Sequence, residues 1–299
     1  MSYVHLLEQF LNGLQLGVML FLVAAGLTLV FGIMNLINLA HGSLYMIGAF
    51  FAATLVKWTG SFFMGVVLAL AALIVLAVIV EALALRPLYE RDHLDQVLAT
   101  FSLILILNEL AIVIWGTEPQ YMATPGFLAG SIEILPGVKY PVLRLGITAF
   151  GLAVAFALYL LVAHTRTGML IRAGASNRRM VQGLGVNVGM LFSLTFALGA
   201  ALAGFAGMIT APLLAVQVGI GEPVLILAFV VVVIGGIGSV RGAFVAALLV
   251  GLVDSVGRFL LPLWLGYQVG PALASMAIYI LMACVLLWRP QGLFYAARG

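Results

Sequence analysis

The feature that most constrains this chain of 299 residues is a series of nine long apolar runs. A helix of roughly 20 apolar residues crosses about 30 Å of hydrocarbon, and a helix satisfies its own backbone groups there. The runs lie near residues 10–31, 36–56, 62–85, 97–115, 145–163, 191–214, 224–237, 243–260 and 269–288. They predict an all-α, polytopic membrane protein with 8–9 transmembrane segments.

The second and seventh runs are the least regular, because they are short or interrupted by glycine and polar residues. We expect either to be a broken or re-entrant element buried in protein. A mean hydropathy of +1.25 with 8% charged residues excludes a water-soluble globular protein. Residues 116–141 contain four prolines, which favour turns or short extended pieces over a long helix. No segment has the composition of an interdomain linker, so residues 1–299 predict a single membrane domain.

Positive charge is concentrated between two apolar runs, at residues 165–190, where four arginines occur without an acidic residue. Basic loops stay on the cytoplasmic side of a membrane. Alternate crossings from an external N-terminus place nine basic residues inside: Arg86, Arg91, Arg166, Arg172, Arg178, Arg179, Arg241, Arg289 and Arg298. The same count places four outside: Lys57, Lys139, Arg144 and Arg258. The asymmetry predicts an external N-terminus and a cytoplasmic C-terminus.

Motifs for catalysis and nucleotide binding are absent from the sequence. Lys57 and Lys139 are the only lysines and neither follows a glycine, which excludes a P-loop. No HExxH, GxSxG or paired-carboxylate pattern supports an enzyme. The single cysteine, Cys284, excludes disulfides, and the scattered histidines lack metal-ligand spacing. The sequence therefore predicts neither a cofactor nor a nucleic-acid partner, since its net charge of +3 reflects membrane topology.

Polar residues enter the second apolar run at Asn35, Asn38, His41 and Ser43. The first three recur every three residues and would share a face if the segment is helical. Two interpretations remain open. His41 and its neighbours could satisfy orphan groups of a helix end at the membrane edge, or the four residues could line a translocation path.

Two further features have structural interpretations. Small residues at three- and four-residue spacing in 199–207 favour close helix packing over a role in conduction. Asp254 and Arg258 stand four apart in the eighth run, an order that favours a structural ion pair over a role in substrate transfer.

Four stretches resemble one known family: GLTLVFGIMNLINLAHGSLYMIGAF at 26–50, RTGMLIRAGASNRRMVQGLGVNV at 166–188, VIGGIGSVRGAF at 233–244 and RPQGLF at 289–294. The family comprises the LivH-like permease subunits of branched-chain amino acid ABC transporters. The resemblance runs nearly end to end. It implies a multi-pass permease of the bacterial inner membrane that provides the translocation path of a binding-protein-dependent importer. The implied partners are a second, LivM-like permease subunit, two cytoplasmic ATP-binding subunits and a periplasmic substrate-binding protein.

The resemblance also implies that residues 166–188, here named the coupling segment, hold a cytoplasmic coupling helix that docks in a groove of an ATPase. The expected contacts are Arg172, Ala173, Gly174, Ala175, Asn177, Arg178, Arg179 and Leu184. Ile171, Ala175, Met180 and Leu184 can supply apolar contacts and the arginines polar ones, a composition suited to a helix in a groove. The alternative is a solvated basic loop that serves topology alone.

The substrate remains open. Ser43 stands where some amino-acid permeases of the family carry an acidic residue, and the family also transports urea and short amides. A different class, an ion-coupled secondary transporter, would need intramembrane ionisable groups, for which Glu81, Glu109 and Asp254 are the candidates.

Overall fold

The fold is a helical bundle with one small hairpin. The computed structural model describes residues 3–89 and 91–294, excluding the side chains of Arg178 and Arg179. The helices are α1 Tyr3–Met34, α2 His41–Thr59, α3 Phe62–Val80, α4 His93–Trp115, α5 Val142–His164, α6 Arg166–Ser176, α7 Arg178–Gly183, α8 Val188–Thr210, α9 Gly221–Gly235 and α10 Val240–Trp288. A π-helical turn, Glu81–Leu85, and a 3-10 turn, Arg86–Leu88, extend α3. Strands β1 Ser131–Leu135 and β2 Val138–Pro141 pair antiparallel, after a 3-10 turn at Gly126–Leu128.

Within the described residues, six helical segments are long and apolar enough to cross a membrane, which confirms the polytopic helical class. They are α1, α3 with its extension, α4, α5, α8 and α10. α2 adds 19 residues to the bundle. α9 has 15 residues and reaches about 22 Å, short of a hydrocarbon core of about 30 Å. The seventh apolar run is therefore a short helix.

The second run begins later than the sequence predicted. α1 ends at Met34, and α2 begins at His41 instead of residue 36. Asn35 has a φ of 52°, a left-handed conformation that asparagine tolerates better than most residues. The Asn38 side-chain oxygen then accepts a hydrogen bond from the Ala40 amide at 3.0 Å and closes a local turn. Both asparagines favour the turn over the helix.

The eighth and ninth runs share one element, α10, with a bend inside it. A straight helix of 49 residues would be about 73 Å long, more than twice the membrane core. Gly266 departs from helical geometry, with φ 81° and ψ 161°. Beyond it Gly270 packs on Leu261 and Pro262, where an added Cβ would lie 2.6 Å from the Leu261 carbonyl oxygen. The chain thus folds back at Gly266, and the two predicted runs form two arms.

Glycine contacts set the packing of the interior around α1, most of whose apolar span is buried. Gly26 of α1 meets Gly199 of α8 so closely that an added Cβ would lie 2.5 Å from the Gly199 carbonyl oxygen. Gly48 of α2 stands equally close to Gly204 of α8. The 199–207 stretch therefore lies where α8 crosses both α1 and α2, and small residues permit that approach.

The basic residues divide between the two ends of the bundle. The end that carries the coupling segment, named the basic end, also holds the 35–40 turn, the α3 extension, the 236–239 loop and residues 289–294. Contacts join these parts: Gly32 faces Gly238, and Ile33 faces Gly174. The opposite end holds the hairpin, the N-terminal turn of α1 and the bend in α10, and Gln120 pairs with Val216 there. Arg298 lies outside the described residues.

Candidate functional site

The coupling segment forms two short helices joined at Asn177. The Thr165 hydroxyl accepts a hydrogen bond from the Gly168 amide at the start of α6, and the Asn177 side chain accepts one from the Met180 amide at the start of α7. The Asn187 side chain caps α8 in the same way, through the Met190 amide. Side-chain caps of this kind fix where a helix begins. Three capping residues thus convert one basic loop into α6, α7 and the start of α8.

One face of α6 packs against the bundle. Ile171 is buried, and an added Cβ at Gly174 would lie 3.1 Å from Leu191 of α8 and 3.6 Å from Ile33 of α1. Gly174 and Ile171, which were expected to contact a partner, face this chain's own helices. Ala173 is half-buried. The inward face anchors the segment to the ends of α1 and α8.

The outward face is exposed and mixed in character. Met180 is 65% exposed and Leu184 is 78% exposed, in the same short stretch as exposed Ala175 and Asn177. Arg172 is also exposed, and its guanidinium donates a hydrogen bond to the Val162 carbonyl at the end of α5. The backbones of Arg178 and Arg179 belong to α7, and their side chains lie outside the described residues. Two large apolar side chains thus protrude from a segment rich in arginine.

Two motifs that are far apart in sequence meet beside this segment. The amides of Leu293 and Phe294 donate hydrogen bonds to the carbonyls of Ile234 and Gly235, at 2.8 and 3.1 Å. These carbonyls belong to the last turn of α9, where carbonyl oxygens have no amide partner within the helix. The 289–294 motif therefore caps the helix that ends in the 233–244 motif.

A buried carboxylate lies where α3 ends against α8. Glu81 is fully buried, and its oxygens accept hydrogen bonds from Arg86 at 3.2 Å, from the Ser193 hydroxyl at 2.8 Å and from the Tyr89 hydroxyl. Arg86 also donates to Ser193 at 3.1 Å. Burial raises the pKa of Tyr89, and its hydrogen bond to Glu81 raises it further, so the hydroxyl keeps its proton. We name these four residues the Glu81 cluster.

A family profile described as branched-chain amino acid transport system / permease component matches residues 9–286. The chain belongs to this permease family. It is 32% identical over 305 residues to the high-affinity branched-chain amino acid transport system permease protein BraD of Pseudomonas aeruginosa, covering 97% of this chain and 95% of that protein. It is 28% identical to the corresponding protein LivH of Escherichia coli K12, covering 98% and 96%. No solved structure matches the chain. These relatives are named as transport permeases, not as enzymes.

In this permease Asn35, Asn38 and His41 do not share a helical face, because the backbone is not helical from Asn35 to Asn38. Asn35 is exposed, whereas Asn38 and His41 have no accessible surface and Ser43 is buried. His41 makes one hydrogen bond, of 3.2 Å, to the Val23 carbonyl. Among the described residues, the side-chain nitrogen Nδ2 of Asn38 and Nδ1 of His41 have no hydrogen-bond partner.

Two buried acids of the apolar runs, Asp254 and Glu81, are paired with arginines. Arg258 binds both carboxylate oxygens of Asp254, with Nε at 3.0 and 2.9 Å. Glu81 is paired with Arg86. Glu109 is exposed on α4. It follows exposed Ser102 by seven residues, and the two therefore lie on the same face of the helix. Two of the three acids considered for ion coupling are thus held by arginines of the same chain.

Sequence reasoning missed Tyr89 and Ser193 as members of the Glu81 cluster. Arg86 follows Glu81 by five residues, a spacing that matches no α-helical pairing, and a π-helical turn lies between them. Ser193 comes from a helix 112 residues away from Glu81. The one available signal was an acid and an arginine close together in an apolar run.

Proposed function

We propose that this permease is the membrane subunit of a binding-protein-dependent ABC importer for branched-chain or other hydrophobic amino acids. The observation that carries the proposal is the capped helix pair α6–α7, anchored inward by Ile171 and presenting Met180 and Leu184 outward, in a chain that belongs to the permease family. The relatives BraD and LivH are named for branched-chain amino acids. Urea and short amides are the alternative substrates.

The proposed role of the coupling segment is to dock on a cytoplasmic ATPase. Exposed Met180 and Leu184 are suited to an apolar groove, while Arg172, Asn177, Arg178 and Arg179 would bind polar groups at its rim. Ala175 is the small exposed residue at which the two surfaces could approach closely. Closure of two ATPases would then move the permease halves as rigid bodies and open the path to one side at a time.

The polar residues of the α1–α2 turn are proposed to border the path in a second conformation. A buried polar group without a partner costs free energy, and Asn38 and His41 each leave one nitrogen unpaired. A conformation that hydrates these nitrogens would recover that cost. Asn35 and Ser43 flank them and complete the proposed polar stretch.

The proposed orientation places the basic end in the cytoplasm and the N-terminus outside, in a bacterial inner membrane. The proposed assembly adds a second, LivM-like permease subunit, two ATP-binding subunits and a periplasmic substrate-binding protein. The basic end would face the ATPases, and the end with the hairpin would face the binding protein.

Single cysteines will test the orientation in a Cys284→Ala background. Ser176, Gln291 and Ala123 are exposed, the first two at the basic end and the third in the opposite loop. Cysteines at 176 and 291 should react only with reagents that reach the cytoplasm, and a cysteine at 123 should react with an impermeant external reagent, because basic loops stay inside. Labelling of position 176 from outside intact cells would reverse the proposed orientation.

Co-purification tests the proposed assembly. The chain has no P-loop, so the purified chain should hydrolyse no ATP, whereas a tagged chain from its native membrane should retain a P-loop ATPase and a second permease. Mass spectrometry of the purified complex and its ATPase rate are the measurements. Recovery of the folded chain alone from gently solubilised membranes would argue against an ABC importer.

A further inference from the structure

We infer that Glu81 is a positioning residue that ties the basic end of α3 to α8, so that movement of the coupling segment reaches α3 and α4. This inference rests on the proposed function, because it assigns a path to motion that begins at a docked ATPase. It adds residues of the Glu81 cluster to that function.

The first observation is the mutual dependence of the cluster. A buried carboxylate is costly unless it is paired and hydrogen-bonded. Glu81 receives that support from its own segment, through Arg86 and Tyr89, and from α8, through Ser193. If α8 moved away from α3, Oε2 of the buried Glu81 carboxylate would lose the hydrogen bond from the Ser193 hydroxyl. The two helices are therefore expected to move together.

The second observation is the position of Ser193 along α8. α8 begins at Val188, directly after the coupling segment and the Asn187 cap. Ser193 follows five residues later, about 7–8 Å along the helix. Its neighbour Phe192 packs edge-to-face on the Tyr89 ring, with centroids 5.2 Å apart. Two adjacent residues at the start of α8 thus contact the extension of α3.

The third observation extends the connection to α4. The Gln96 side chain is buried at the start of α4 and donates hydrogen bonds to the Leu88 and Arg91 carbonyls, at 3.1 and 3.2 Å. These carbonyls belong to the turn between α3 and α4. The Glu81 cluster therefore holds a turn that is itself fixed to the next helix.

Substitutions of Ser193 separate the positioning role of Glu81 from the neutralisation of its charge by Arg86. Arg86 already pairs with Glu81, so the carboxylate keeps its counterion when the serine hydroxyl is removed. Ser193→Ala deletes the donor from α8 alone, and Ser193→Thr retains a hydroxyl at the same place. A purely local ion pair would tolerate both changes equally.

The test compares Ser193→Ala, Ser193→Thr and Glu81→Gln in the complete importer, reconstituted in vesicles with radiolabelled leucine as the substrate. We expect Ser193→Ala to retain bound ATPases but to transport about tenfold less substrate per ATP hydrolysed, as loss of one hydrogen bond to a charged group implies. Ser193→Thr should restore the ratio. Glu81→Gln should lower it further or prevent assembly.

The outcomes distinguish this inference from the proposed function. A wild-type chain that binds no ATPase overturns the proposed function but not the tie. The tie can then be measured on the chain alone, where the amides of residues 81–86, 88 and 89 should exchange hydrogen about tenfold faster in Ser193→Ala than in Ser193→Thr. Equal transport per ATP for alanine and threonine, or equal exchange in the isolated chain, would overturn the inference.

Discussion

Replacing Met180 and Leu184 together with glutamate should abolish transport by the assembled importer while leaving the permease inserted and folded. Both side chains are largely exposed, at 65% and 78%, so the change should disturb no internal packing. An unpaired charge buried in an apolar groove costs about 3–5 kcal/mol. Binding of the ATPase should therefore weaken by about 100-fold or more. Uptake of radiolabelled leucine into vesicles and retention of ATPase during purification are the measurements.

The matched control is Leu214→Glu at the opposite end of the bundle. Leu214 is 54% exposed and follows α8 in the loop that pairs with residue 120. It receives the same change far from the coupling segment, so ATPase retention should be normal. Normal transport and normal retention in the Met180/Leu184 variant would reduce the segment to a topology signal and remove the docking proposal.

Long-range features of the fold were predictable because hydrocarbon imposes simple rules. Apolar runs specify membrane helices, and arginine bias separates the two ends of the bundle. The approximate positions of all nine runs therefore agree with helical segments. The end of α1 was less predictable, because it depends on a left-handed residue, Asn35, inside an apolar stretch. The bend at Gly266, by contrast, lies between the eighth and ninth predicted runs, at 243–260 and 269–288, so the sequence indicated its position.

The orientation of side chains in the candidate site could not be read from the sequence. Ile171 and Leu184 have the same apolar character, yet one is buried and the other is 78% exposed. The difference depends on α6 packing against α1 and α8, which are distant in sequence. Composition therefore located the segment but not its outward face. The Glu81 cluster illustrates the same point, because a π-helical turn and a distant helix together complete it.

The permease interior gives the second large expected effect: Gly48→Ala should destabilise the bundle, and Gly48→Val should prevent its folding. Gly48 lies where α2 crosses α8, and an added Cβ would stand 2.5 Å from the Gly204 carbonyl oxygen and 2.6 Å from the Gly204 Cα. These are backbone atoms of a packed helix, so they cannot yield without moving α8. Overpacking of this kind costs about 1–3 kcal/mol for small additions and more for larger ones.

The control for this change is Gly257→Ala in α10, where the added Cβ would meet only the Leu261 side chain at 3.9 Å. Alanine favours a helix over glycine by about 0.5–1 kcal/mol, so this variant should be neutral or slightly more stable. Thermal unfolding of the two purified variants in detergent, followed by tryptophan fluorescence, gives the comparison. For a chain of this size a loss of about 1–3 kcal/mol should lower the Tm of Gly48→Ala by about 2–5 °C. If the two alanine variants melt together, α2 and α8 are not in backbone contact at Gly204, and the small-residue interpretation of the 199–207 stretch fails with it.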